Sequence, residues 1–352
     1  MMGKKHNYLH QTGFSLVELM VALVIGLLAT LVIMQVFSAF EGQKRSTSGT
    51  ADAQTNGSIA LMNIQRNVQM AGYGLPLPNS DLQSNALRCN ALPNFTDPVT
   101  ANITNIFPIQ VQDGVGSNAS DTITVRYSTT ARGAIPVEII DPINAAAGTG
   151  LVADSNMGCV TDDIAVIINN TTCAMTKVAD ADGSGNTPVN ISLYAAVTPS
   201  AGTAPLVAGA KIACMGNWQN YTFQVVNDEL QLNGQPIVSE VVNMQVQYGV
   251  SAAAGSNDVT AWVNATGGTW GNPIVASRNR IKAIRVAVVL RNGLLEKANV
   301  TNAALTAWTP LNGSAAPVID LTGIPNWQQY RYRVFETIIP LRNMLWSKDA
   351  VA

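Results

Sequence analysis

The sequence predicts an α+β protein, in which a long N-terminal transmembrane and stalk helix packs on a large, mainly antiparallel β-domain. Three observations predict this. From Leu19 to Phe40 there are 22 residues without a charge, enough for a helix to cross the ~30 Å hydrocarbon core of a bilayer. No proline interrupts residues 14–75, so a helix can continue past the apolar run. Beyond residue 80, Pro, Asn, Asp and Ser punctuate short runs rich in Val, Ile and Thr, with no strand–helix–strand alternation. That pattern favours antiparallel sheets.

The apolar run follows a short basic segment, residues 1–13, which carries Lys4 and Lys5 and no acid. By the positive-inside rule the N-terminus faces the cytoplasm and the rest of the chain lies outside. One carboxylate, Glu18, stands at the start of the run. A carboxylate at membrane depth is costly without a partner, so its presence calls for a reason. A secretory signal loses its apolar core on cleavage; a cut placed before this run would keep it.

Residues 41–57 are polar on every side and contain Gly42, Gly49 and Gly57, each weakening a helix by ~1 kcal/mol. Taken alone they read as a solvated, flexible stalk. Helical spacing resumes at Ile59, Leu61, Met62, Ile64, Val68 and Met70, and stops at Gly72, Gly74, Pro76 and Pro78. The alternative is one continuous helix of roughly sixty residues. Its stripe over 59–71 is expected to face the sheet.

Strands are expected at 122–127, 136–140, 163–168, 189–195, 211–215, 222–226, 229–232 and 238–248, and two long ones at 281–290 and 330–339. Asn233-Gly234 marks a tight hairpin, and Asn227-Asp228 a second turn. In 281–290, Lys282, Ile284, Val286, Val288 and Leu290 share one face, and Ala283, Arg285, Ala287 and Val289 the other. The loop-like stretch 250–279 carries Trp262 and Trp270, readable as a lid over the sheet or as a partner contact.

Charged residues make up 12% of the chain, against roughly 25% in an average soluble domain. Net charge is −2, and −4 once Lys4 and Lys5 are removed. The basic clusters at 278–285 and 331–333 lie in or beside strands and read as solvated strand faces. No nucleic-acid partner is expected. Both histidines, His6 and His10, fall within 1–13. Without them the chain has no histidine for a Ser-His-Asp or Cys-His site or for a metal. The expectation is a non-enzyme with no cofactor and no metal. Asp180-Ala181-Asp182-Gly183-Ser184-Gly185-Asn186 is oxygen-rich but lacks the ligand spacing and closing glutamate of a calcium loop. It reads more simply as a hairpin tip. Cys89, Cys159, Cys173 and Cys214 form no C-x-x-C pair and suggest two disulfides in an exported domain. Three connectivities are open. The short connection around strand 164–168 favours Cys159–Cys173, leaving Cys89–Cys214.

Gly13-Phe14-Ser15-Leu16-Val17-Glu18-Leu19-Met20, after a basic leader and before an apolar helix, resembles the class III signal of type IV pilins and type II secretion pseudopilins. The resemblance implies cleavage after Gly13, methylation of Phe14 and a role for Glu18 in subunit registration. Two further resemblances point to the PilW family of minor pilins. One is the stretch 64–74, ending Ala71-Gly72-Tyr73-Gly74, although Arg66 stands one residue further from Ala71 than the family pattern expects. The other is the ordered set of blocks 242–250, 281–291 and 332–343. The implied organisation is a prepilin leader at 1–13, a transmembrane and filament-core helix at 14–40, a stalk and amphipathic helix at 41–79, and a globular β-domain at 80–352. The implied partners are other minor pilins, the major pilin, the prepilin peptidase and the inner-membrane assembly machinery. The implied location is the inner membrane, with the β-domain periplasmic, and then the extracellular pilus. The implied function is structural, priming a type IV pilus and sitting at its tip. The alternatives are a J-type pseudopilin of a type II secretion system and an adhesin or DNA-uptake pilin.

Overall fold

The computed structural model describes residues 13–76, 89–90, 94–130, 134–142, 149–181, 188–195, 197–199, 206–302, 304–308 and 316–345. It divides into two units, residues 1–51 and 52–352.

A single helix, Leu16–Gln69, spans the N-terminal region. Residues 41–57 are helical throughout, so the continuous helix replaces the flexible stalk. The part in the second unit buries Ala53, Ala60, Ile64, Val68 and Ala71 in the main core. This stripe differs from the expected one, since Ile59 and Met62 are exposed. The true stripe is phased on small residues, which let the helix approach the sheet closely. Gly57 lies on it, and a Cβ there would stand 2.5 Å from the Phe335 ring. Gly57→Val should therefore cost about 1–3 kcal/mol by overpacking. Thermal unfolding of the variant checks this, and adding Phe335→Ala should recover part of the loss. After the helix, Gly72 (φ +78°) and Gly74 (φ +86°) take left-handed conformations, the expected stop. The Gly72 amide donates to the Arg126 carbonyl at 2.9 Å, leading the chain into the β-domain.

The helix packs on two antiparallel sheets that share this core. One has five strands, in the order Gln235–Ser239, Glu229–Leu232, Trp218–Val226, Thr122–Ser128, Ile109–Gln112. The other has four, in the order Ala261–Val263, Val241–Val250, Ile281–Arg291, Tyr332–Pro340. Both expected tight turns are present: Asn227, Asp228, Asn233 and Gly234 all have positive φ. The expected strand 238–248 is broken at Glu240 (φ +61°), which ends one strand and lets the next join a different sheet. Arg291 holds Glu240 there, its Nε 2.6 Å from Oε2. In Ile281–Arg291 the expected alternation holds from Ile284 onward, with Ile284, Val286, Val288 and Leu290 in the helix-side core and Val289 in a separate cluster on the other face, while a register shift between Ile281 and Ala283 also brings Ile281 into that core.

The middle of the chain folds into an arrangement the sequence did not announce. Six strands pair in a ring: Thr172–Ala181, Ile164–Asn169, Lys211–Gly216, Val137–Asp141, Gly150–Ala153 and Val189–Leu193, with the last pairing back to the first. Closure removes sheet edges, and Ile139, Leu151, Ile167, Val178, Ile191 and Ile212 are buried together in one cluster. The strand Thr172–Ala181 was not expected.

The disulfides are Cys89–Cys173 and Cys159–Cys214, which corrects both expected pairings. Ile164–Asn169 and Thr172–Ala181 form a hairpin in which Cys173 lies opposite Ile168, at the turn. Cys159 is bonded to Cys214, which lies opposite Ala165 near the hairpin's open end, three residues along the strand from the partner of Cys173. Alternation decides the rest. Ala174 joins the same buried cluster as Cys159 and Cys214, whereas its neighbour Cys173 joins the cluster that holds Cys89.

Asp121 ties the two helix-side sheets together. Its carboxylate accepts the Gly114 amide at 2.9 Å and the Val246 amide at 2.6 Å, and its own amide donates to the Met244 carbonyl. Burial raises its pKa to about 7, against the pull of those two amides and with a push from Asp113. The folded state therefore keeps a proton that the unfolded chain releases near pH 3.8. The contribution of Asp121 to stability should be greatest below that pH and fall by at most about 4 kcal/mol as pH rises to neutrality. Denaturation of wild type and Asp121→Asn across this range checks it, because the variant should lose that part of the slope.

Candidate assembly site

Gly13, Phe14 and Ser15 precede the helix in non-helical conformation, and the Leu19 amide closes the first turn on the Ser15 carbonyl at 3.1 Å. A peptidase can reach a non-helical segment of this kind, whereas a helical backbone would have to unwind first. Glu18 lies in the first turn, where a carboxylate complements the positive end of the helix dipole. It is one turn from Phe14 and exposed.

The residues that follow carry the decisive property. Phe14 is 84% exposed, Ile25 61% and Phe40 66%, and no residue of the most apolar window, mean hydropathy 2.8, is buried. This helix is apolar all round, as a membrane or an apolar bundle requires. At ~1.5 Å per residue its uncharged run spans about 33 Å.

The β-domain adds contacts at the helix end, from strand Thr122–Ser128 and from the short helix Arg342–Leu345. The Tyr127 hydroxyl donates to Asn67 Oδ1 at 2.7 Å. Asn343 Nδ2 donates to the Ala71 carbonyl at 3.1 Å. The two PilW-like stretches, 64–74 and 332–343, thus meet at their ends. Neither asparagine was singled out in the sequence, since a lone Asn carries no periodic signal.

Residues 9–34 match the family model of the prokaryotic N-terminal methylation motif, and residues 216–343 match that of the type IV pilus-assembly protein W, PilW. The two matches support a type IV minor pilin of the PilW family. No curated protein and no solved structure matches it. The methylation-motif match takes in Gly13, Phe14 and Glu18. The PilW match takes in the hairpins 218–239 and the four-stranded sheet, and closes at Asn343.

The remaining candidates of the pilin's β-domain have structural explanations. Arg278, Lys282 and Arg285 are buried, so the basic cluster 278–285 is not a solvated strand face as expected. Within the 250–279 stretch, Ala261–Val263 pairs with Val241–Val250, and Trp262 covers Arg285 from this edge strand of the sheet. The Arg285 guanidinium lies 5.0 Å from the Trp262 ring and 4.2 Å from the Trp308 ring and donates from Nε to Gln247 at 2.9 Å. Burial lowers its pKa to about 10, and it stays charged at neutral pH. A cleft of about 280 Å³ opens among Asp97, Asn102, Trp218 and Asn220. Its polar groups bind one another: Asp97 pairs with Lys177 at 3.2 Å, and Asn220 accepts from Thr104 at 2.7 Å and Arg126 at 2.9 Å. Such a site is a joint between strands. Of the oxygen-rich stretch 180–186, residues 182–186 lie outside the described residues.

Proposed function

We propose that this pilin is a minor subunit that primes type IV pilus assembly and sits at the filament tip with other minor pilins. Before assembly the helix is held in the inner membrane with its N-terminus cytoplasmic and the β-domain periplasmic. The prepilin peptidase cuts after Gly13 and the new N-terminus, Phe14, is methylated. Helix packing against neighbouring pilins then replaces contact with lipid, and Glu18 pairs with the α-amino group of a neighbour's Phe14. The chain's own work is binding and orientation: it forms and breaks no bond, and its partners are other minor pilins, the major pilin and the assembly machinery.

The observation that carries this reading is the all-round exposed apolar helix immediately behind a matched methylation motif. The PilW match favours the pilus over a type II secretion filament. Deletion of the gene tests both. Loss of surface pili with protein secretion intact is the expected result; intact pili with failed secretion would transfer the protein to the secretion system.

A further inference from the structure

We propose that the outer edge of strand Tyr332–Pro340 is a docking edge to which a neighbouring, different pilin adds a β-strand. The proposal rests on the pilus reading above and adds the surface through which the β-domain selects a partner.

The strand ends the order of its sheet, with Ile281–Arg291 on one side and no described strand on the other. Register fixes which backbone groups are free. The Asn292 amide donates to the Arg331 carbonyl, and the Leu341 amide to the Lys282 carbonyl, each in line with the ladder that pairs Arg291 with Tyr332 and Ala283 with Pro340. In an antiparallel pair, residues bonded to the partner alternate with residues whose amide and carbonyl point away. Arg333, Phe335, Thr337 and Ile339 therefore bond inward. Val334, Glu336 and Ile338 present theirs outward, and among the described residues nothing pairs with them. A free edge this long is a template for another strand, and proteins commonly block such edges unless they are used.

The side chains specify the occupant. Arg331 is paired with Glu296 at 2.8 Å. Arg333 is exposed and has no ion pair among the described residues. Ile338 is 56% exposed on the opposite face. A strand with a carboxylate facing Arg333 and an apolar residue facing Ile338 complements both.

Symmetry excludes antiparallel self-pairing of this edge with a second copy. Antiparallel self-pairing has a two-fold axis normal to the sheet. The helix segment 52–69 lies against that sheet, so the axis would reverse its direction. Two copies would receive their N-terminal segments from opposite sides, whereas subunits of one filament receive them from the same side.

The test uses a strain lacking the chain, complemented with full-length variants and scored for pili per cell. Trypsin resistance and non-reducing mobility report folding. Glu336→Pro removes an outward amide and leaves the inward ladder intact, a change that edge strands tolerate. It should keep both disulfides and a resistant β-domain yet reduce pili at least about tenfold. Glu336→Ala should match wild type, and Arg333→Glu should reduce pili severalfold. Wild-type piliation by a resistant Glu336→Pro overturns the proposal. Should that variant lose resistance, Arg333→Glu decides, and full piliation by it likewise overturns the proposal. Failure of the wild-type chain itself to restore pili would overturn the pilus reading and the docking edge with it.

Discussion

Glu18→Ala is expected to leave cleavage after Gly13 intact and to abolish incorporation into pili. The helix after Glu18 is uncharged from Leu19 to Phe40; under the packing proposed above its surroundings become apolar and a neighbour's α-amino group is the carboxylate's partner. Removing one member of a buried charge pair costs about 3–5 kcal/mol, because the other is left unpaired. At about 1.4 kcal/mol per tenfold, that loss suppresses a helix–helix contact by at least about a hundredfold. Cleavage should not depend on this pair, since the proposed cut lies in the non-helical segment before Leu16. Immunoblots for processing and for sheared pili separate the two steps. Glu18→Gln should resemble Glu18→Ala, because the pairing needs charge; normal pili from either variant would remove Glu18 from the account.

The second large effect concerns the disulfides. Cys89–Cys173 closes a sequence separation of 84 residues and Cys159–Cys214 one of 55. Chain-entropy reasoning assigns about 4–5 kcal/mol to loops of these lengths, a large share of a typical domain's stability. Serine in place of both partners of either bridge should lower the denaturation midpoint of the β-domain markedly in the full chain. Reductant should do the same to wild type and little more to a variant lacking both bridges. Peptide mapping under non-reducing conditions should return the pairs 89–173 and 159–214. Recovery of a 159–173 peptide would contradict the arrangement of the hairpin described above.

The sequence disclosed the helix, the antiparallel class and the two asparagine turns because each has a local signal: an uncharged run, period-2 alternation and residues that accept positive φ. It misled where the controlling contact is distant. Gly57 looks like a weak point until Phe335 is seen against it. The Ile59 and Met62 positions look like core by hydrophobicity alone, yet the packed stripe runs through Ala53, Gly57 and Ala60. Cys173 and Cys159 are near in sequence but lie at opposite ends of a hairpin, which no spacing rule reveals. The basic residues near 280 look solvated because the tryptophans that cover Arg285 come from segments on either side of its strand. For the assembly site the position is reversed: Gly13, Phe14 and Glu18 were legible at once as a contiguous motif. The free edge at Tyr332–Pro340 needed the register of that strand against Ile281–Arg291.

The central claim is that the N-terminal motif is processed and the apolar helix retained for assembly. Intact mass of the membrane-extracted protein tests it most directly. The account predicts a chain beginning at Phe14, one methylene group heavier than the unmodified sequence from that residue and four hydrogens lighter for the two disulfides. A mass that still includes residues 1–13, or one that has lost the apolar run with them, would contradict it.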